Sequence, residues 1–389
     1  MTIPFSYILK NFTARKVTSA VTLTGIGLVV FVFAAVLMMA TGIEKTLIAT
    51  GTEGNVIIAR KSSSGEITSI IDRETANLLL TTPGVATTAD GTPLVSTDGV
   101  VILNLTKRTG GISNVAARGV SPQVLTIRSS VKILEGRMFR FGTRELIVGE
   151  STVKNFRGTH IGERIRMAGD EWLIVGIMSS GGTGFDSEVW GDIEQLQQAF
   201  NRMQSFSTIT FRMQKADMLD GFQQRLARDP RLNQFEADTE KHFYAKQSET
   251  MSIFIRVLGI FTTIIFSAGA IIGAMITMYS AVANRTTEIG TLRALGFRRI
   301  SILYAFLAEA LVLSFVGGLA GIAGASLLQF VQISTLNFGS FSEISFSFAM
   351  TPDIILISMI FALTMGFIGG FLPAWRASRM DILQALRGG

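Results

Sequence analysis

The chain has 389 residues, of which 48% are hydrophobic and only 16% charged, with a formal net charge of +6. Soluble domains carry about a quarter charged residues, so this composition points to a membrane protein. Cysteine is absent, which excludes disulfides and thiolate metal sites. The surplus of positive charge lies in segments flanking apolar runs, which argues for orientation and anionic lipid and against nucleic acid.

Residues 1–16 carry Lys10, Arg15 and Lys16, and Val17–Ile43 follows without a charged side chain. A span needs roughly 20 residues, and a cleaved signal core is shorter, about 7–15. No Ala-x-Ala closes the run, so residues 17–43 are expected to stay as a first transmembrane helix. The stretch 44–250 contains 24 basic and 24 acidic residues and is predicted to be a neutral globular region. Asn55–Ala59, Val100–Thr106, Glu145–Val148, Arg164–Met167, Glu171–Met178 and Ser207–Met213 read as strands. Asp72–Leu80, Asp192–Met203 and Ala216–Ala227 read as helices, and the irregular mixture predicts an α+β fold. Ser179–Gly184 is glycine-rich but has no following lysine, so it reads as a mobile outer loop touching a partner. Residues 235–250 are polar, free of Gly and Pro, and are predicted to form a helical stalk.

A second span is expected over 251–284, with Arg256 snorkelling from its outer end. The basic loop 285–299 comes next. Thr286 or Thr287 is placed to cap a short helix, with Glu288 in its first turn. Ile289, Leu292 and Leu295 share a face, and Gly296 suits a helix stop. A third span over 300–333 contains Glu309, roughly 14 Å deep at helical rise, where an unpaired carboxylate costs about 2.5–3.5 kcal/mol. A hydrogen bond to a neighbouring helix and a proton relay are the two readings of that residue. An outer loop over 334–351, a fourth span over 352–374 and a tail 375–389 with Arg376, Arg379 and Arg387 complete the chain.

The three basic segments hold ten basic residues against two acids, Glu288 and Asp381, whereas Gln332–Asp353 has only Glu343 and Asp353. Basic loops stay cytoplasmic, so both termini and loop 285–299 are expected inside and residues 44–250 outside. Glycines recur at four-residue spacing as Gly269/Gly273, Gly317/Gly321 and Gly366/Gly370, which suits close helix packing within one subunit or at a dimer seam. The two histidines, His160 and His242, are far apart, and neither a phosphate-binding loop nor a Gly-x-Ser-x-Gly elbow occurs. No catalytic, cofactor or metal residue is therefore assigned.

The segment Arg285-Thr-Thr-Glu-Ile-Gly-Thr-Leu-Arg-Ala-Leu-Gly296 resembles the FtsX-like permease family of ABC transporters, of the MacB and LolC type. Glu309-Ala310, Gly317-Gly-Leu-Ala-Gly321 and Pro373-Ala-Trp-Arg-Ala-Ser-Arg379 carry the resemblance onward. Gly119-Val-Ser-Pro122, Leu134-Glu-Gly-Arg137, Gly149-Glu150, Ile161-Gly162 and Val175-Gly176 are similar to the periplasmic core of that type. The resemblance implies four transmembrane helices with a large extracytoplasmic α+β domain between the first two. It divides that domain into a membrane-proximal part, 44–106 and 205–238, and a distal insertion, 107–204. Loop 285–299 becomes a coupling helix, with Arg285, Thr287, Glu288, Gly290, Arg293 and Gly296 as its ATPase-docking residues. ATP and magnesium would sit on a partner ATPase subunit dimer, so this chain is expected to be a transport subunit and not an enzyme. The further partners implied are a second permease copy or homologue, a periplasmic adaptor with an outer-membrane channel, and membrane lipid. Export is the first function implied. A lipoprotein-releasing permease and a regulator of an extracytoplasmic enzyme are the alternatives.

Overall fold

The computed structural model describes residues 16–203, 205–337 and 339–381. Lys10, Arg15 and Arg387, used above for orientation, lie outside the described residues. The chain divides into two compact units. One comprises Met1–Thr41, Phe254–Val331 and Phe348–Gly389, the other Gly42–Ile253 and Gln332–Ser347.

Among the described residues, four helices are long and apolar enough to cross a membrane, and the first unit is built on their apolar parts. They are α1 (Lys16–Thr50), α7 (Glu240–Ala283), α9 (Arg299–Ser326) and α10 (Pro352–Ser378), with the short α8 (Thr286–Ala294) between α7 and α9. Glycine lets their backbones touch. A methyl group on Gly27 would lie 3.1 Å from the Gly317 carbonyl, and one on Gly317 equally close to that of Leu23. Gly366 and Gly370 face Ser314 and Ala310 in the same way, so α10 rests on α9. Two of the three glycine pairs are thus consumed within the subunit. On the third, Gly269 and Gly273 meet nothing, nor does Gly25 opposite them.

The second unit is α+β, as composition and pattern predicted. Its main sheet has ten strands: β1 (Asn55–Arg60), β3 (Val95–Thr106), β4 (Ile112–Val120), β5 (Lys132–Gly136), β6 (Glu145–Gly149), β7 (Arg164–Met167), β8 (Asp170–Ser179), β9 (Glu188–Asp192), β11 (Thr208–Arg212) and β12 (Phe235–Thr239). The order is β12-β1-β11-β3-β4-β9-β6-β8-β5, with β7 paired to β8. β2 (Ile71–Asp72) and β10 (Ser205–Phe206) pair separately. The helices are α2 (Arg73–Leu80), α3 (Val124–Ile127), α4 (Glu150–Asn155), α5 (Ile193–Ala199) and α6 (Leu219–Arg228). Apolar residues form two cores. The first gathers Ile58, Leu79, Phe211, Phe222 and Phe235 around β1, β11 and β12. The second gathers Leu103, Val115, Val148, Trp172 and Val189 around β4, β6, β8 and β9. β3 belongs to both lobes: its first residues pair with β11 and its later ones with β4.

Three local expectations are corrected. Phe235–Thr239 is a strand, because Phe235 and Ala237 alternate into the first core while the backbone pairs with β1; the helix begins only at Glu240. The third apolar helix stops at Ser326, and the uncharged run continues through a turn into the hairpin β13 (Gln332–Asn337) and β14 (Ser342–Ser347). Absence of charge does not make a span: β14 alternates Ile344 and Phe346 with polar residues, a strand pattern. Finally, the glycine-rich segment is a tied turn. Asp186 accepts hydrogen bonds from the backbone N–H groups of Ser180 and Gly182, and Gly184 N–H donates to the Thr50 hydroxyl at 2.8 Å.

Candidate functional site

Helix α8 begins at Arg285, which occupies the cap position without a side-chain hydrogen bond to the helix. The expected threonine cap is not made; Thr286 and Thr287 are already helical, and the Thr291 hydroxyl bonds back to the Thr287 carbonyl. Glu288 lies in the first turn, where the positive end of the helix dipole favours a carboxylate. The stop at Gly296 is complete. With φ at +91°, Gly296 donates to the Arg293 carbonyl and Phe297 to that of Leu292, both at 3.1 Å. This 6→1 and 5→2 pair is the Schellman arrangement, and only glycine adopts its left-handed residue without strain.

The six residues assigned to docking do not share one surface. Ile289 is buried among Met278, Val282, Ile302, Phe306 and Ala374, and Gly290 is buried beside it. Leu295 points away from them and is 66% exposed, so the expected apolar face of Ile289, Leu292 and Leu295 is not continuous. Thr287, Glu288 and Gly296 are exposed, and Arg293 is half-buried. Arg285 turns inward. Its Nη1 lies 3.0 Å from Glu309 Oε2, both side chains nearly closed to solvent, and its guanidinium sits 6.0 Å from the Phe306 ring centre. Burying either charge alone would be costly, whereas the hydrogen-bonded pair offsets that cost. Glu309 is accordingly held in an ion pair that pins the start of α8 to α9. Nearby, Arg376 lies 5.8 Å from the Tyr279 ring and Arg379 4.3 Å from that of Trp375.

The second unit contains a site that sequence reading missed. Arg118 and Arg128 are fully buried. Arg118 makes two bidentate pairs, with Glu66 at 2.6 and 2.7 Å and with Glu188 at 2.7 and 2.8 Å. Arg128 pairs with Asp98 at 2.7 Å and Glu240 at 3.0 Å. Asp98 also accepts from the Ser96 hydroxyl, and the Trp190 indole donates to Glu188. Both guanidiniums stack near the Phe185 ring, at 5.3 and 4.8 Å. Glu240 opens α7, and its other oxygen accepts from Thr52 N–H and the Asn55 amide, each at 2.9 Å. One carboxylate therefore ties the residues just after α1 to the start of α7 and to the sheet.

Burial opposes ionisation of Glu66, but the Arg118 guanidinium outweighs it and holds the carboxyl below its ordinary value. Burial likewise works against charge on Arg118, and Glu188 and Glu66 together push its pKa well up. The Tyr244 hydroxyl, buried and facing Glu66, is raised well above its usual range. The one signal in the sequence is Arg118 inside the otherwise apolar strand run Val115–Val120; Arg128 follows the short α3 without any, and 24 acidic side chains offer too many partners to choose from. His160 and His242 lie apart from it; Arg108 reaches His160 at 2.6 Å and Asp238 pairs with His242.

A family model described as the MacB-like periplasmic core domain matches residues 19–229, and one described as the FtsX-like permease C-terminal matches residues 259–382. The chain is 30% identical over 280 residues to the ABC transporter permease YknZ of Bacillus subtilis (strain 168), covering 67% of this chain and 66% of that protein. It is 28% identical over 304 residues to the macrolide export ATP-binding/permease protein MacB of Hyphomonas neptunium, covering 73% of this chain and 45% of the relative. The chain thus spans less than half the length of that MacB. The crystal structure of the periplasmic region of MacB from Actinobacillus actinomycetemcomitans overlays with a TM-score of 0.39 and 11% identity, over 50% of this chain and 92% of that one.

Proposed function

The chain belongs to the MacB-like, FtsX-like family of ABC transporter permeases, and from that premise we propose that it turns ATP hydrolysis by a partner ATPase into movement of its α+β unit. The observation that carries this is one continuous line of structure. Helix α8 presents Thr287, Glu288 and Gly296 to solvent and is pinned to α9 by Arg285–Glu309. Its neighbour α7 runs unbroken for 44 residues and ends in the buried Glu240–Arg128 joint. In this reading a push on α8 is passed to α7 and along it to the sheet. Arg293 sits at the edge of the docking face, and Arg285 and Gly290 act beneath it by setting its position.

In this reading α8 and both termini face the cytoplasm, since basic residues flank the inner ends of the spans. The α+β unit then lies outside, in the inner-membrane protein of a cell with an extracytoplasmic space. A substrate gathered there or from the membrane (drug-, peptide- or lipid-like) is expelled with an adaptor and an outer-membrane channel. The partner ATPase supplies ATP and magnesium. The unit works as a pair with a second copy or homologue. A groove of about 500 Å³ lined by Gly25, Leu28, Phe266, Gly269 and Gly273 supports that pairing, because a methyl group on any of its glycines would meet nothing within 4 Å among the described residues. The same apolar groove between α1 and α7 favours lipoprotein release as the second reading, with an acyl chain as its occupant.

The test is co-purification of a cognate ATPase with the wild-type chain and with Glu288→Lys, followed by ATPase assay in lipid. Reversal of the first-turn charge should abolish binding and stimulation while membrane insertion persists. Full stimulation by the Glu288→Lys variant would overturn the docking assignment.

A further inference from the structure

The hairpin β13–β14 joins α9 to α10, yet it packs with the α+β unit. Its contacts fall on the second lobe. Lys107 Nζ, at the end of β3, lies 2.6 Å from Glu343 Oε2, and the glutamate is only 5% exposed. The Asn155 amide of α4 donates to the Ser345 hydroxyl, and Ser345 N–H donates to Ser187 Oγ, both at 3.0 Å. Asn114 at the start of β4 donates to the Phe341 carbonyl at 2.9 Å, and the Gln332 amide reaches Ser151 of α4. Ile344 and Phe346 are buried beneath these bonds. The first lobe is held differently, through Glu240 of α7 and the Thr52–Asn55 segment that follows α1. The hairpin therefore ties the second lobe to α9 and α10, beside the Thr50 hydroxyl at the end of α1, which accepts from Gly184 N–H of the same lobe.

We propose that the hairpin is a second transmission arm, which carries movement of α9 and α10 to the second lobe, with Lys107 and Glu343 as its positioning residues. This rests on the ATP-driven reading above and adds to it. The inner helix α8 stands between α7 and α9, so one push enters both arms: along α7 to the first lobe, and along α9 through the hairpin to the second. Unequal movement of the two helix pairs then appears as displacement of one lobe against the other. A half-closed ion pair suits such an arm. Its partners resist separation because either charge left alone in that setting is unfavourable, whereas an exposed pair would hold little.

The absence of cysteine allows two spin labels to be placed cleanly, at Ile112→Cys on the second lobe and Gln224→Cys on the first, both exposed positions. The full chain is reconstituted in lipid with its ATPase, and the label distance is measured without nucleotide and with ATP and vanadate. The wild-type background should show a nucleotide-dependent change. Glu343→Gln and Lys107→Met should each lose most of it while still binding and stimulating the ATPase. The charge exchange Lys107→Glu with Glu343→Lys should restore it, which separates loss of the pair from loss of folding. An unchanged distance response in both single variants would overturn the second arm and leave the docking reading intact. No response in the wild-type background, or no ATPase bound to it, would overturn both.

Discussion

The membrane unit and the α+β unit solve the same problem, holding long elements together, with opposite chemistry. Between the membrane helices, lipid removes the hydrophobic incentive to associate, and close packing at Gly27, Gly317, Gly321, Gly366 and Gly370 takes its place. Among the described residues of this unit, the charge pair that stands out is Arg285–Glu309, between the start of α8 and α9. The α+β unit has two ordinary apolar cores, and where they join it buries two guanidiniums against four carboxylates. The contrast teaches where each unit tolerates sliding. Glycine faces are smooth and non-directional. The bidentate pairs of Arg118 with Glu66 and Glu188 fix register and angle.

The comparison is broken most severely at the charged joint. Arg128→Ala leaves Glu240 buried without its cation and Asp98 with only the 3.4 Å contact to Arg118, and a loss of about 3–5 kcal/mol is expected. Hydrogen exchange over β1, β11 and the first turns of α7 should show the loss, with protection between α9 and α10 unchanged. Gly366→Leu tests the other chemistry. The leucine would collide with Ser314 and the Ala310 carbonyl, and overpacking of this kind costs about 1–3 kcal/mol, read as a lower unfolding temperature in detergent. Gly273→Leu sharpens the contrast, because a methyl group there would meet nothing within 4 Å among the described residues. Its unfolding temperature should stay near that of the wild type while association with a second copy, measured by mass photometry, is lost.

Acid should separate the units as well. Glu66 has its folded pKa depressed below the ordinary 4.5, so its contribution is present above about pH 4.5 and is lost as pH falls through the folded value. Exchange protection in the strands around Arg118 should be flat from neutral pH down to that point and then decline. Glu66→Gln should remove that part of the slope. The smallest effect on folding is expected at Leu295→Ser. This exposed position should move stability by less than about 0.5 kcal/mol, and its change is read as weaker binding of the ATPase.

Several elements were legible because local chemistry alone specifies them. Asp72 caps α2 by accepting from Thr75 N–H, Gly296 ends α8, Arg164–Met167 alternates plainly, and the short apolar run at Glu145–Gly149 is bounded well enough for both strands to be placed within a residue. The hairpin was hidden by its lack of charge, and β12 by a polar composition that equally suits a helix. In each case the deciding partner, the second lobe or β1, is distant in sequence.

What the sequence by itself determined is therefore what depends on one segment meeting a solvent: which runs enter lipid, which loop is basic, which turn needs glycine. Tertiary structure alone decided who pairs with whom. Arg285 read as a surface cation until Glu309, 24 positions on, drew it inward. Of 24 acidic side chains in the α+β stretch, burial chose Glu66, Asp98, Glu188 and Glu240 as partners for two arginines. A charge out of water must find its complement wherever the fold has brought one near, and that address is written in no single stretch of chain.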